Sequence, residues 1–354
     1  MQAVVLVGGE GTRLRPLTLE TPKPMVPVMN VPFLERTLRR LRDAGIDDVI
    51  LPAGYLPAAI SSYFGDGSAL GLNIRYVIEE TPLGTAGAIK NVAEYITGPF
   101  FVLNGDVLTS LDLRAMIALH ERKRGMGVLH LIRVDDPSAF GCVVNDGDDM
   151  VTAFVEKPKR EEAPTNEVNA GTYLLDPAIL DLIPSGRMVS IERETFPLVI
   201  TGSRPLYAYT TDDYWVDLGN PAAYLKAHRD VFDGAMPLEL GEGTPTAGPN
   251  VAPAATCVPP VLLGARVRIS PGARVGPYAV LGDGCTVGAG AVIRDSVVWD
   301  NVTVEDGAVI DGAIVASRAH IGAHAVVRPG SVIGHGGLVS SGAELEENAR
   351  ITAS

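Results

Sequence analysis

Cysteine is scarce in this chain of 354 residues. The three present, Cys142, Cys257 and Cys285, lie too far apart for a disulfide framework or a zinc-binding pattern, and read as buried or incidental thiols in a reducing compartment. Positive charge is also short. With 29 Lys and Arg against 42 Asp and Glu, the net charge of −13 argues against a nucleic-acid-binding face. No apolar run reaches membrane-spanning length, and the first strand begins by residue 3, leaving no room for a charged leader and cleavage site. The expectation is a cytoplasmic chain with no membrane and no nucleic-acid partner. No Ser/His/Asp or Cys/His arrangement for nucleophilic catalysis is evident. The glycine-rich start lacks both the Gly-Lys-Ser/Thr ending of a P-loop and the G-x-G-x-x-G spacing.

What the chain does offer begins at once. The apolar strand VVLVGG over residues 4–9 empties into EGTRLRPLT and then TPKPMVPV. Gly8, Gly9 and Gly11 let backbone N–H groups close on a polyphosphate, and Arg13, Arg15 and Lys23 supply charge to neutralise it. For the glycines alone a tight strand-to-helix turn suffices; the basic residues at this spacing favour an anion site. A surface salt bridge is a fair alternative for Arg15. Further on, Asn104-Gly105-Asp106 ends the strand PFFVLNGD. A carboxylate at a strand tip suits a hard cation, or else simply caps the turn.

Residues 1–232 alternate short β-rich runs with helical patterns, as in an α/β sheet with helices on both faces. Strands are expected over 3–7, 47–54, 73–80, 99–106, 127–134, 150–158 and 169–176, and helices over 32–45 and 86–96. Ligands in such sheets bind beyond the carboxyl ends of strands, where the glycine loop and Asp106 both fall. Residues 233–260, rich in Gly, Pro and Ala, read as a linker.

Residues 261–354 carry an internal repeat of period six. Aliphatic residues fall at Leu263, Ile269, Val275, Leu281, Val287 and Ile293. After a one-residue slip they resume at Val298, Val304 and Ile310, and after another at Val315, Ile321, Val327 and Ile333. With a turn glycine often next and a small residue four further on, this is the pattern of a hexapeptide β-helix, about four to five coils over 261–340 at three hexads each. His320 and His324 within it are expected as exposed coil residues rather than the catalytic histidines of an acyltransferase.

GG-x-GTRL-x-PLT followed by PKPM is similar to the signature of the sugar-1-phosphate nucleotidyltransferases, and Lys23-Pro24-Met25 resembles the GDP-mannose pyrophosphorylase branch. The resemblance runs through nearly the whole chain. It implies a Rossmann-like domain with a mixed, mostly parallel sheet, then a left-handed β-helix whose hand the spacing itself does not give. It implies magnesium-dependent, in-line attack of a sugar 1-phosphate on the α-phosphorus of a nucleoside triphosphate, with GTP and mannose 1-phosphate the leading pair. Glucose or manno-heptose substrates, and a non-catalytic sensor of nucleotide sugars, are the alternatives. Two anions must meet, so cations and a metal matter more than a nucleophile.

By the same resemblance, nucleotide contacts are expected at Leu6, Gly8, Gly9, Gly11, Thr12, Arg13 and Lys23. Arg13 would hold the β- and γ-phosphates and Lys23 would bridge near the reacting centre. The base would lie on residues 79–87, with Gly84 and Thr85 as foremost contacts. Asp106 and Asp217 resemble the family's metal-binding aspartates, Asn220 being the more natural cap of the helix that follows. Phe140-Gly141-Cys142, Glu156-Lys157-Pro158 and Asn169-Ala170-Gly171 resemble its sugar site. There Lys157 would neutralise the sugar phosphate, Glu156 and Asn169 would take hydroxyls, the Gly141 backbone would approach the sugar, and Gly171 would give room. SIERETFP over 190–197 is expected near the sugar lobe without a direct role. The β-helix is expected to join subunits of a homo-oligomer.

Overall fold

A computed structural model describes residues 1–54, 56–238 and 251–353. They fall into two compact units, Met1–Gly9 with Leu34–Trp215 and Glu10–Phe33 with Val216–Ser354.

The first unit is built on nine strands: β1 (Gln2–Leu6), β2 (Asp48–Ala53), β3 (Asn73–Ile78), β4 (Phe100–Asn104), β5 (Gly127–Arg133), β6 (Gly141–Asn145), β7 (Val151–Glu156), β8 (Glu167–Leu175) and β9 (Leu206–Thr211). The sheet runs β7-β6-β8-β4-β1-β2-β3, with β5 added beside β8 and β9 beside β5. The stretch β4-β1-β2-β3 is parallel, while β8 runs antiparallel to β4 and β5. The interior strands are apolar along their length, as parallel strands covered on both faces must be. Ala3, Val4, Val5, Phe100, Phe101 and Val102 are all fully buried. The helices are α1 (Phe33–Asp43), α2 (Pro57–Phe64), α3 (Gly84–Asn91), α4 (Leu113–Lys123) and α5 (Phe196–Ile200). In α1, Leu34, Leu38 and Leu41 form the buried stripe, and Glu35 at its start and Arg42 at its end suit the helix dipole. α2, α4, α5, β6 and β9 add to the elements expected from the sequence.

The second unit contains α6 (Pro221–Phe232) and the repeat. Of the linker expected over 233–260, residues 239–250 lie outside the described residues. Residues 233–238 are turn and irregular chain after α6, and from residue 251 the chain is already β-helix: Val251 bridges Ile269, and Thr256–Cys257 pairs with Arg274–Val275. Val251 and Cys257 continue the column of Leu263 and Ile269 at the same spacing; a cysteine in an aliphatic position masks the first coil. Three parallel sheets of five, six and five strands form the faces. Along one column Leu263, Leu281, Val298, Val315, Ile333 and Ile351 stack in register. The inward aliphatics are nearly all fully buried, each contributing about 1.5–3 kcal/mol over leaving it in water. His320 is half-buried with Nε2 2.8 Å from Glu305 Oε1, and His324 is an exposed corner residue. The three cysteines are free thiols, and burial pushes Cys285 up to about 12.

Candidate functional site

The basic residues lie in the second unit. Residues 10–33 fold as three tight turns, Thr12–Leu14, Leu17–Leu19 and Lys23–Met25, pinned by the buried side chains of Leu14 and Leu17, followed by a short hairpin that pairs Pro27–Val28 with Val31–Pro32. Gly11 has φ of +60°, and a Cβ there would come 3.0 Å from Thr18 Cγ2 and 3.1 Å from Lys23 Cβ. Only glycine lets the turns close on one another. Thr18 Oγ1 donates to Gly11 O at 2.9 Å and locks the closure. Lys23 Nζ then stands 3.8 Å from Asp217 Oδ1, and Arg13 Nη2 stands 3.9 Å from Asp217 Oδ2, both beyond hydrogen-bond length. The Arg13 side chain is 67% exposed and that of Lys23 only 12%. Two cations thus converge on one carboxylate, an arrangement suited to receiving phosphates.

Asn220 Oδ1 accepts from Ala223 N at 2.9 Å, so Asn220 caps α6 and Asp217 is left to the cations. Gly219, between them, backs onto Arg13: a Cβ would lie 2.7 Å from its Nη2. Arg15 takes a different course, pairing with Glu10 at 2.5 Å on the exposed surface, a contact worth little.

In the first unit, β1 ends at Leu6 in register with Asn104 at the end of β4, and Gly105 N donates to Leu6 O at 2.9 Å. Asp106 follows, half-buried at the strand tip. Beyond Leu6, a Cβ on Gly8 would meet nothing within 4 Å, and its φ is not left-handed. The protein itself does not require glycine there, so the bare backbone is available to a ligand.

The sugar-type motifs are brought together by the β6–β7 hairpin and β8. Glu156 ends β7 directly across from Gly141. Lys157 has φ of +50° and donates its N–H to Phe140 O at 2.9 Å. A lysine held in left-handed backbone costs about 1–2 kcal/mol, strain of the kind that gathers at functional sites. Its Nζ lies 3.6 Å from Glu156 Oε1. In β8 the pairing with β5 is broken between Asn169 and Tyr173. There Asn169 Oδ1 accepts from Gly171 N at 3.0 Å, and Asn169 Nδ2 donates to Tyr173 OH at 2.7 Å. The room that Gly171 gives is taken by Asn104, whose Nδ2 lies 2.6 Å from where a Cβ would sit.

The fully buried Tyr173 leads onward, its OH 3.5 Å from Glu192 Oε1. Burial and the neighbouring Glu192 raise the phenol well above its ordinary range, so it stays protonated. Glu192 Oε2 also accepts from Ser190 Oγ at 2.7 Å and from Thr85 Oγ1 at 2.9 Å, while Ile191 N donates to Thr85 Oγ1 at 2.8 Å. Glu192 thus links the expected base segment to the expected sugar strand. The Thr85 hydroxyl is committed to that link, and Gly84 is packed on Val189, where a Cβ would come 2.7 Å from the carbonyl oxygen.

For a base, the segment therefore offers its backbone and one side chain that the sequence did not single out. Glu79, half-buried just after β3, has an Oε1 that is buried and without a hydrogen-bond partner. Burial pushes its carboxyl above the usual range. An unsatisfied buried polar atom costs about 1–3 kcal/mol, and marks a place where a ligand donor is missing.

Residues 2–234 match the Nucleotidyl transferase family, and residues 248–345 match the EIF2B subunit epsilon LbH domain. The chain belongs to the nucleotidyl transferase family, and its C-terminal repeat is a left-handed β-helix. It is 46% identical over 279 residues to the mannose-1-phosphate guanylyltransferase of Mycobacterium tuberculosis, covering 77% of each chain. The mannose-1-phosphate guanyltransferase of Saccharomyces cerevisiae is 38% identical over 231 residues, 64% of this chain and 63% of that one. The UTP–glucose-1-phosphate uridylyltransferase of Synechocystis is 35% identical over 297 residues, 77% and 76% of the two chains. Among solved structures, HddC from Yersinia pseudotuberculosis complexed with GMP-PN matches with a TM-score of 0.56 at 32% identity, over 65% of this chain and 99% of that one.

Proposed function

We propose that this chain transfers GMP from GTP to mannose 1-phosphate, forming GDP-mannose. A phosphate oxygen of the sugar attacks the α-phosphorus of GTP, the bond to the β-phosphate breaks, and pyrophosphate leaves. No proton need be taken from the attacking phosphate, so the work of the residues is charge neutralisation and alignment. Arg13 neutralises the departing pyrophosphate, and Lys23, sheltered from solvent, meets the charge that develops on the reacting phosphoryl group. The exposed Lys157 receives the sugar phosphate. Glu156 accepts from sugar hydroxyls, and Asn169, already holding Tyr173 and Gly171, keeps one N–H and one lone pair for another.

Among the described residues no group of three or more His, Cys, Asp or Glu could hold a metal ion. Magnesium bound together with substrate phosphates needs only one or two carboxylates, a demand that the half-buried, oxygen-only side chain of Asp106 in the first unit fits, as does that of Asp217 in the second. Magnesium held there would offset phosphate charge as a Lewis acid.

The observation that carries the base assignment is the unpartnered Oε1 of Glu79. Guanine presents two adjacent donors, N1–H and the exocyclic amine, to a carboxylate; uracil and thymine present one N–H between two acceptors. The test is pyrophosphate release with magnesium across nucleoside triphosphates and sugar 1-phosphates, inosine triphosphate included because it lacks the exocyclic amine. GTP should exceed ITP by about 10-fold or more in kcat/KM, and Glu79→Gln should close that gap while lowering GTP use by about 10- to 100-fold. Turnover confined to UTP and glucose 1-phosphate would keep the chemistry and overturn both substrate assignments. Assembly through the β-helix belongs to the same reading and is read out by light scattering of the full chain.

A further inference from the structure

The phosphate loop and the β-helix share a compact unit, and their contacts fall on either side of Lys23. Before it, Thr21 Oγ1 is hydrogen-bonded to His335 Nε2 at 2.9 Å, Arg318 Nη2 donates to Glu20 Oε2 at 2.9 Å, and Pro16 lies where a Cβ on Gly334 would come within 3.1 Å. After it, Tyr224 OH donates to Pro27 O and accepts from Trp299 Nε1 at 3.1 Å. Met29 N donates to His228 Nε2 at 3.1 Å, and Asn30 Nδ2 donates to Leu281 O at 2.8 Å. Trp299 and His335 stand edge to face with ring centroids 5.3 Å apart, 4% and 8% exposed. Trp299 occupies the position where other coils carry Gly264, Gly282, Ala316 and Gly334. A β-helix corner does not need an indole there. The Tyr224 hydroxyl does.

We infer that this face of the β-helix positions the phosphate loop, with Thr21–His335 and Pro27–Tyr224–Trp299 holding the backbone on both flanks of Lys23. The internal bonds of residues 10–33 mostly close single turns rather than tie the turns together, and a 1 Å misplacement of a phosphate-binding cation can cost about 100-fold in rate. The β-helix supplies the rigidity that the loop lacks. His335 and Thr21 are positioning residues, acting through Lys23 and Arg13. This rests on the reading that those two cations bind the triphosphate.

The test uses the full chain and the substrate pair it turns over best. Thr21→Val removes the hydroxyl at constant volume, and Thr21→Ser restores it. Thr21→Val should raise KM for the nucleotide and lower kcat, about 10-fold together in kcat/KM, with KM for the sugar phosphate within about twofold. Thr21→Ser should return both to within about threefold of the parent. Amide exchange of residues 17–26 should quicken about 10-fold in Thr21→Val and in His335→Ala, with β1 and β4 unchanged. Unchanged kinetics and exchange in both variants overturn the inference. So does an equal rise in both KM values, unrescued by serine and with protection lost throughout the chain, which would mark a fold role only. A parent that turns over no pair defeats the functional reading instead, and the exchange comparison still decides whether the β-helix seats the loop.

Discussion

Two glycine-bearing segments are assigned to the nucleotide, and they are secured by different chemistry. The start of α3 is docked by main chain: Ala86 N and Gly87 N donate to Val189 O at 2.9 and 3.3 Å, and Val189 N donates to Leu83 O at 2.9 Å. Residues 10–33 are docked mostly by side chains, among them Thr21, Glu20, Asn30, Tyr224 and His335. Main-chain bonds survive almost any substitution that fits, so the α3 segment is limited sterically, at its glycines. Side-chain bonds vanish with one residue, so the loop is limited chemically. Damage to the first should register as instability, and damage to the second as lost activity in a folded protein.

The largest expected effect lies in the loop. Lys23→Ala should lower kcat by about 10³-fold with the circular dichroism spectrum and Tm unchanged, since a preorganised charge is lost and no core is touched. Gly84→Ala forces a Cβ toward the Val189 carbonyl in left-handed backbone, and should lower stability by about 2–3 kcal/mol, measured by urea titration. Equal Tm values for these two variants would erase the distinction. Thr85→Val sharpens it from within the α3 segment. Glu192 loses one donor at a cost of about 1–2 kcal/mol, and KM for the sugar phosphate should shift about fivefold through Tyr173 and Asn169.

The smallest effect lies outside both segments. Burial, with Arg40 adding to it, lowers His130 to about 3, so the folded chain refuses a proton that the unfolded chain accepts below about 6.5. Stability should therefore fall as the pH drops from 6.5 towards 3, by about 1.4 kcal/mol at pH 5.5 from this group. His130→Gln should flatten that part of the pH profile in denaturant titrations, leaving kinetics at neutral pH within about twofold.

Much of this architecture was legible in the chain. The β-helix was, because period six is a local signal repeated coil after coil; it was missed at the first coil, where Cys257 replaces an aliphatic, and was not followed past Ile333 to Val339, Leu345 and Ile351. The core strands and the Gly11–Lys23 loop were legible for the same reason: their residues are neighbours in sequence. Glu192 was not, because its partners Thr85 and Tyr173 come from other elements, and an acidic pair in SIERE reads as solvated surface. Glu79 fell within the expected base segment 79–87, but beside Glu80 nothing in the sequence ranked it with Gly84 and Thr85. The Asn169–Tyr173 interruption has no signal beyond Gly171 itself, and a long-range side-chain bond such as Thr21–His335 leaves no periodicity to find.

That bond joins positions at opposite ends of the chain as it is synthesised. At ribosomal rates of roughly 5–20 residues per second, Thr21 waits about 15–60 s for His335 to be made. The nine-stranded sheet has all its strands by Thr211, well before then. A polypeptide released early would carry every residue of the sheet and the whole glycine signature, yet lack the inferred seat of its phosphate loop. If the β-helix seats the loop, full catalytic competence arrives only with the last coils, and a truncated product should turn over triphosphate more slowly than the full chain.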